Sequence, residues 1–393
     1  MLIFAKKIIY FKNKKQINMT KTKEDTNVNN DVFAEKRIMF PKPKQIYKHL
    51  NENVIGQDEA KKTLSVAIYN HFKRVLANTM DVNNGEEFKD IHIDKSNLLI
   101  LGNSGTGKTY MIKQIAKYMG LPCYIADATK LTESGYVGDD VESILVGLLQ
   151  EADYNIDVAQ MGIVVLDEID KIGRKSDNPS ITRDVGGEGV QQGLLKIVEG
   201  GVIGVPPKGG RKHPEQPLVY IDTTNILFIG MGAFDGIENI INKRLNKKRI
   251  GFEQSILHTN KEDKPLEYVM SSDLKSFGLI PELIGRFPII THTNKLSVED
   301  LVKIITEPKQ SILKQYQKLL ALDNNKLIID NDAILSIATI AHSLKIGARG
   351  LRSIMEDVLN DIMFEYSDKM NETISITKEY VEKCLVKYKQ KVA

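Results

Sequence analysis

Apolar residues recur at helical spacing from Ile46 to Leu76, and the stripe breaks once, at Val54-Ile55-Gly56-Gln57. That pattern predicts a turn followed by a helix starting near Asp58. Four short apolar runs come next: Leu98 to Leu101, Cys123 to Ala126, Gly162 to Leu166 and Ile226 to Ile229. Runs of this length without polar alternation suit strands buried on both faces, and helical or irregular sequence separates each from the next. The expected class is α/β, a parallel sheet between helices. Residues 235 to 278 break the rhythm with Lys243-Arg244, Lys247-Lys248-Arg249 and Lys261 to Pro265, which predicts a long exposed insertion. After Pro288 the pattern turns mainly helical, with amphipathic segments Val298 to Leu320, Asp332 to Leu344 and Leu351 to Tyr366. Three parts follow: a tail over 1–40, a large domain over 41–290 and a small one over 291–393.

Composition narrows the function classes. The 393 residues are 42% hydrophobic and 27% charged, as in a globular protein with enough chain for two cores. The net charge of +3 is set by the first 23 residues, which hold seven lysines and no acid; the remaining 370 carry −4. A mildly acidic body argues against nucleic-acid binding through a broad basic face. No run approaches the length of a membrane span, and Lys6-Lys7 split the N-terminal apolar residues, so no membrane partner is expected. The Lys-rich start reads as a disordered tail or as an organellar presequence; its lack of Arg and Ser favours the tail, and Met19 offers a second start. The only cysteines, Cys123 and Cys384, make neither a disulfide framework nor a four-thiolate zinc site, which points to a reducing compartment, the cytoplasm or an organelle matrix.

The chemistry lies in a few motifs. Gly102-Asn103-Ser104-Gly105-Thr106-Gly107-Lys108-Thr109 follows an apolar run and precedes a helical pattern, as a P-loop does. The flexible backbone at Gly102, Gly105 and Gly107 lets N–H groups face phosphate oxygens, Lys108 supplies a positive charge, and the Thr109 hydroxyl suits Mg²⁺. Ile163 to Leu166 ends in Asp167-Glu168, the expected partner pair: Asp167 for the metal and Glu168 to polarise the attacking water. Asn294-Lys295-Leu296-Ser297 ends in Ser where a guanine-reading motif needs Asp, so adenine is the expected base. Arg286, ahead of Phe287-Pro288, and Arg349, in Gly347-Ala348-Arg349-Gly350, are candidate cations for charge developing on the γ-phosphate; salt-bridged surface arginines are the plainer alternative. Tyr136-Val137 between Gly135 and Gly138 suits either a loop that pushes on polypeptides or a buried turn.

From Pro41 to about Tyr388 the chain resembles the ClpX family of AAA+ unfoldases. Beyond the P-loop, the resemblance rests on Val54-Ile55-Gly56-Gln57, Asp167 to Ile172, Ser180 to Asp184, Gly187 to Gln192 and Gly209 to Pro214, in order. It implies an AAA+ P-loop NTPase fold with a parallel-sheet large domain and a mainly helical small one. It also implies an ATP- and Mg²⁺-dependent unfoldase that feeds unfolded or tagged proteins to a ClpP peptidase. In that resemblance Val54 and Ile55 line the adenine pocket, Arg286 is an arginine finger acting on a neighbouring subunit, and Arg349 is a sensor arginine. Tyr136-Val137 grip substrate, Arg211-Lys212-His213 form the pore-entrance loop, and Ile250-Gly251-Phe252 dock on the peptidase. A finger in trans implies a ring, a homo-hexamer in this family. The family's four-cysteine zinc-binding N-domain has no counterpart, Gly186 and Gly193 stand where Ser and Ala are expected, and no polar sensor is legible after Ile229. An HslU-type unfoldase, a remodelling chaperone without a protease and a DNA-remodelling motor are the alternatives.

Overall fold

The computed structural model describes residues 40–79, 91–132, 139–173, 187–206, 217–247 and 264–386. The opening helical stripe forms α1 (Pro43–Asn51) and α2 (Asp58–Thr79), separated at Asn53 to Gln57. β1 (Leu98–Leu101) is wholly buried; α3 (Lys108–Met119) and β2 (Cys123–Asp127) follow, then a two-residue parallel pair, β3 (Leu131–Thr132) with β4 (Asp139–Asp140). After α4 (Ser143–Glu151) and α5 (Ile156–Ala159) comes β5 (Ile163–Asp167), then α6 (Glu188–Glu199). An antiparallel pair, β6 (Val202–Val205) with β7 (Val219–Asp222), precedes β8 (Leu227–Gly232), α7 (Ile237–Lys247), α8 (Ser271–Phe277), α9 (Pro281–Gly285) and β9 (Ile289–His292).

β2, β5, β8, β1 and β9 lie side by side in that order as one parallel sheet. Asn97, just before β1, ties three of these strands together. Its Oδ1 accepts from Phe228 N–H of β8 at 3.1 Å, its Nδ2 donates to the Arg286 carbonyl at 2.8 Å, and its own carbonyl accepts from Ile289 N–H of β9. Burying an aliphatic side chain contributes about 1.5–3 kcal/mol, so the apolar runs of β1, β5 and β8 are the sheet's main source of stability.

The structure departs from the sequence pattern in three places. β8 runs on to Gly232, past the expected end at Ile229, and glycine fits both added positions: a Cβ at Gly230 would meet Leu99 at 2.9 Å and one at Gly232 would meet Asp170 Oδ1 at 2.3 Å. These glycines stand where neighbouring side chains need the space. The stretch from 235 to 278 is not one exposed insertion: Ile237 and Ile241 of α7 and Leu274 of α8 are buried. Its basic residues hide that apolar stripe in the sequence, and one of them is half-buried, Arg244 donating to both carboxylate oxygens of the buried Asp273 at 2.8 and 2.9 Å. β9, third, carries only two apolar residues before Thr291 and His292, too few to read as a strand, although both polar residues are buried. Gly193 of α6 also has a reason, since a Cβ there would press Val141 Cγ2 at 3.0 Å.

The chain divides into two compact units. The first holds 62–101 and 112–292 with the residues up to Ile46; the second holds Tyr47–Lys61, Gly102–Met111 and the chain from Thr293 onward. In the second unit, the segment expected as one amphipathic stretch from Val298 to Leu320 is two helices, α10 (Val298–Thr306) and α11 (Ile312–Ala321), because Pro308 cannot continue a helix. Ser297 caps α10, accepting from Asp300 N–H at 3.1 Å while Asp300 Oδ2 accepts from Ser297 N–H at 3.0 Å. The serine that spoils a guanine-reading motif thus has a structural task. β10 (Lys326–Ile329), α12 (Asn331–Ser343), α13 (Gly347–Glu365), β11 (Thr373–Ile376) and α14 (Lys378–Cys384) complete the unit. β10 and β11 pair in parallel, burying alternate residues, Leu327 and Ile329 against Ile374 and Ile376. They add strands to a part that the sequence shows as helical.

Candidate nucleotide site

Gly102, Gly105 and Gly107 take φ of +144°, +77° and +94°, the left-handed region that a Cβ disfavours. The P-loop backbone therefore has the conformation for which its glycines are suited. Lys108 is buried at the start of α3, and its ammonium donates to the carbonyls of Gly102 and Asn103. Thr109 is half-buried in the same first turn. Thr106 Oγ1 donates to the Asn103 carbonyl at 2.9 Å and lies 2.7 Å from Thr293 Oγ1. A Cβ on Gly102 would come within 2.0 Å of that same Thr293 oxygen.

The second unit also contains the Val54-Ile55 segment and Arg349. Val54 is buried and Ile55 half-buried. Gly56 and Gln57 both take φ of +62°, which turns the chain sharply into α2. The amide of Gln57 then reads one backbone position twice, donating to the Asn294 carbonyl at 2.9 Å and accepting from Asn294 N–H at 2.7 Å. In the sequence, Gln57 reads only as the end of the Val54 to Gln57 pattern, with no task of its own. Arg349 is exposed in the first turn of α13, where the neighbouring Ala348 N–H donates to the Gly105 carbonyl at 3.0 Å.

Asp167, Glu168 and Arg286 fall in the first unit. Asp167 ends β5, directly opposite Asp127 at the end of β2. Thr129 donates its hydroxyl to Asp127 at 2.6 Å and its N–H at 3.0 Å, holding that carboxyl below the usual range. With Glu168, three carboxylates therefore stand at the carboxyl ends of adjacent parallel strands, where open α/β sheets present ligand sites. Asp127 went unread because the run before it ends one residue early in the apolar pattern. Glu168 is exposed and takes φ 58°, ψ 32°, with its N–H donating to Asp167 Oδ1 at 3.0 Å. A left-handed glutamate is strained, and strain of this kind gathers at functional positions. Asp170 is buried, accepting from Phe234 N–H at 3.3 Å and pairing with Lys171 at 3.3 Å.

Arg286 follows α9, with Nε and Nη2 donating to Glu199 Oε1 at 3.1 and 2.5 Å. Its side chain is 50% exposed, so the salt bridge of the plainer alternative is present, at the surface. β8 ends in Gly232 and is followed by Ala233 and Phe234, so no polar side chain stands at its end. Tyr136-Val137, Arg211-Lys212-His213, Ile250-Gly251-Phe252 and the N-terminal tail lie outside the described residues. Among the described residues, no group of three or more His, Cys, Asp or Glu side chains could hold a metal ion, and no helix is long and apolar enough to cross a membrane.

A family model for the AAA domain (Cdc48 subfamily) matches residues 93–290, and one for the C-terminal, D2-small domain of ClpB protein matches residues 296–374. A Porphyromonas gingivalis protein named ATP-dependent Clp protease ATP-binding subunit ClpX is 51% identical over 349 residues, 88% of this chain and 83% of its own length. The protein of that name from Bacteroides thetaiotaomicron is 52% identical over 350 residues, again 88% and 83%. Its namesake in Borrelia duttonii is 48% identical over 343 residues, 87% of this chain and 79% of the relative.

Proposed function

The chain belongs to the ClpX family of AAA+ ATPases, and from that premise we propose that it is an ATP-driven protein unfoldase and translocase that delivers polypeptides to a separate ClpP peptidase. ATP binding and hydrolysis, as the ATP-binding subunit of an ATP-dependent Clp protease, come with the family. The observation that carries the finer reading is identity at about half of all positions over 88% of the chain. It spans both the sheet that ends in Asp167-Glu168 and the unit that holds the P-loop and Arg349.

In this reading Val54 and Ile55 flank the adenine, the P-loop backbone and Lys108 bind the phosphates, and Glu168 orients and polarises the attacking water. The Thr109 hydroxyl and the Asp167 carboxylate are hard oxygen donors of the kind Mg²⁺ takes beside phosphate and water, so the donor set fits that ion. Bound Mg²⁺ would neutralise charge on the phosphates. Arg286 serves a neighbouring subunit's site and Arg349 its own, which requires a ring of subunits, here a hexamer. Residues 41–290 act as the large ATPase domain and 291–393 as the small one. Tyr136-Val137 push the substrate, Arg211-Lys212-His213 receive it, and Ile250-Gly251-Phe252 hold the peptidase.

The place of action is the cytoplasm, or an organelle matrix if the tail is a presequence. Both cysteines are free, and burial pushes the Cys123 thiol up to about 12, an unreactive thiol in a reducing compartment. The test is unfolding of a stable, tagged fluorescent protein with ATP, with and without ClpP. Loss of fluorescence with ClpP fragments is the expected result. ATPase activity stimulated by DNA and indifferent to unfolded protein would refute the reading.

A further inference from the structure

Two glycines of the second unit bring backbone against backbone. Gly347 opens α13 with φ +60°, and a Cβ built on it would stand 3.0 Å from the Gly105 carbonyl oxygen and 3.1 Å from the Gly105 Cα. In the other direction, a Cβ on Gly105 would stand 2.9 Å from the Ile346 carbonyl and 3.1 Å from the Gly347 Cα. The Ala348 N–H crosses this gap to the Gly105 carbonyl at 3.0 Å. Two backbones thus touch with no side chain between them, and one of the two is the phosphate loop.

A helix N-terminus ordinarily offers its first N–H groups to an anion. At α13 the Ala348 N–H is already taken by a protein carbonyl, and that carbonyl belongs to the middle of the P-loop. A peptide whose oxygen is held on one side has its plane fixed, so the N–H of the next residue, Thr106, is fixed with it. We infer that Gly347 is a positioning residue for ATP: through the Gly105–Ala348 hydrogen bond, the start of α13 sets the orientation of the P-loop peptides that face phosphate. The helix then contributes to the nucleotide in two separate ways, through backbone at Gly347-Ala348 and through the side chain at Arg349. The inference rests on the P-loop reading and adds to it a second segment whose backbone shapes the loop.

Three variants and one wild-type measurement test it. Gly347→Ala adds both the Cβ and strain at a positive φ. Gly347→Asn adds the same Cβ but tolerates the left-handed region. Both are expected to raise the Kd for ATP and for ADP about tenfold, because a Cβ contact at 3.0 Å forces the loop aside by several tenths of an ångström. Nucleotide-free thermal stability should stay close to wild type for the Asn variant, which a purely structural role would not allow. Wild-type affinity in Gly347→Asn, or equal loss of affinity and of nucleotide-free stability, would overturn the inference. Lys108→Ala tests the P-loop reading by itself; unchanged nucleotide affinity there would sink that reading whatever Gly347 does. Should the Gly347 variants fail to fold, amide exchange of the wild type decides. The Ala348 N–H, in a first turn where amides usually exchange fast, should be protected. Exchange as fast as that of the Glu299 N–H, in the first turn of α10, would refute the contact.

Discussion

Glu168 offers a test in which activity and stability should move in different directions. Its side chain is exposed, its N–H is bonded to Asp167, and its backbone sits at φ 58°, ψ 32°. Glu168→Gln keeps the backbone and the side-chain length and removes only the charge that would polarise water. Turnover should fall by about 10²- to 10⁴-fold, the usual worth of a general base, while ATP affinity and thermal stability stay put. Glu168→Gly removes the carboxylate too, so it should be equally inactive, yet it also relieves the backbone. The left-handed conformation costs an L-residue about 1–2 kcal/mol, and glycine gives back about 0.5–1 kcal/mol through the greater freedom of its unfolded chain. The difference leaves Glu168→Gly more stable by about 0–1.5 kcal/mol. At about 2–4 °C per kcal/mol for domains of 150–250 residues, Tm should rise by up to about 6 °C. A coupled ATPase assay and thermal unfolding without nucleotide read the two effects. More than a tenth of wild-type turnover in the Gln variant would refute the water-activating role. A Gly variant less stable than the Gln variant would refute the strain.

Other expectations follow from the same structure. Mixing Arg286→Ala chains with Glu168→Gln chains should restore some hydrolysis, since part of the interfaces then pair an intact finger with an intact acid; no recovery in rings shown to be mixed would count against action in trans. His71 is buried, with its pKa lowered to about 3 by burial and then by the Arg74 charge. The unfolded chain therefore binds a proton that the fold refuses between about pH 6.5 and 3. The contribution of neutral His71 is complete above pH 6.5 and falls by about 1.4 kcal/mol per unit as pH drops through that window. His71→Gln should flatten the acid limb of urea stability, and an unchanged slope would contradict the assignment. Phe252→Ala should leave ATPase and unfolding intact and abolish degradation with ClpP, whereas an ATPase-dead variant would mean that Phe252 packs on its own domain.

The candidate site is legible where its residues form one contiguous motif, and the fold where burial is uniform. β1 and β5 announce themselves because every apolar residue in them faces the core, and the P-loop because its glycines and lysine are adjacent in sequence. What stayed hidden depends on residues that meet only after folding. Gln57 and Asn294 stand 237 residues apart, and nothing in the Val54 to Gln57 pattern says that an amide there will pair with a distant backbone. Gly347 looks like an ordinary helix-start glycine until Gly105 lies against it. β9 is hidden because Thr291 and His292 are polar yet buried, and α7 because its basic composition masks Ile237 and Ile241. In each case the misleading signal is local composition, and the deciding fact is a neighbour from elsewhere in the chain.

Arg286 shows how a fixed backbone and a loosely held head can coexist in one residue. Its carbonyl accepts from the buried Asn97 amide at 2.8 Å, and the same amide binds Phe228 of β8, so the position of the residue is built into the sheet. The guanidinium is half-exposed and paired with Glu199, itself about as exposed. An ion pair in that setting contributes about 0–1 kcal/mol, less than a charge-assisted bond made away from water. Transfer of the guanidinium from Glu199 to a phosphate of a neighbouring subunit would therefore cost little, and the Asn97 anchor would keep the backbone from drifting while it happens. An arginine held instead through both oxygens of a buried carboxylate, as Arg244 is by Asp273, could not serve in this way, because leaving its partner would strand that carboxylate at about 3–5 kcal/mol. The two arginines carry the same charge, and the burial of their partners separates them: Arg244 holds α7 to α8, and Arg286, in the proposed finger role, could leave Glu199 at little cost.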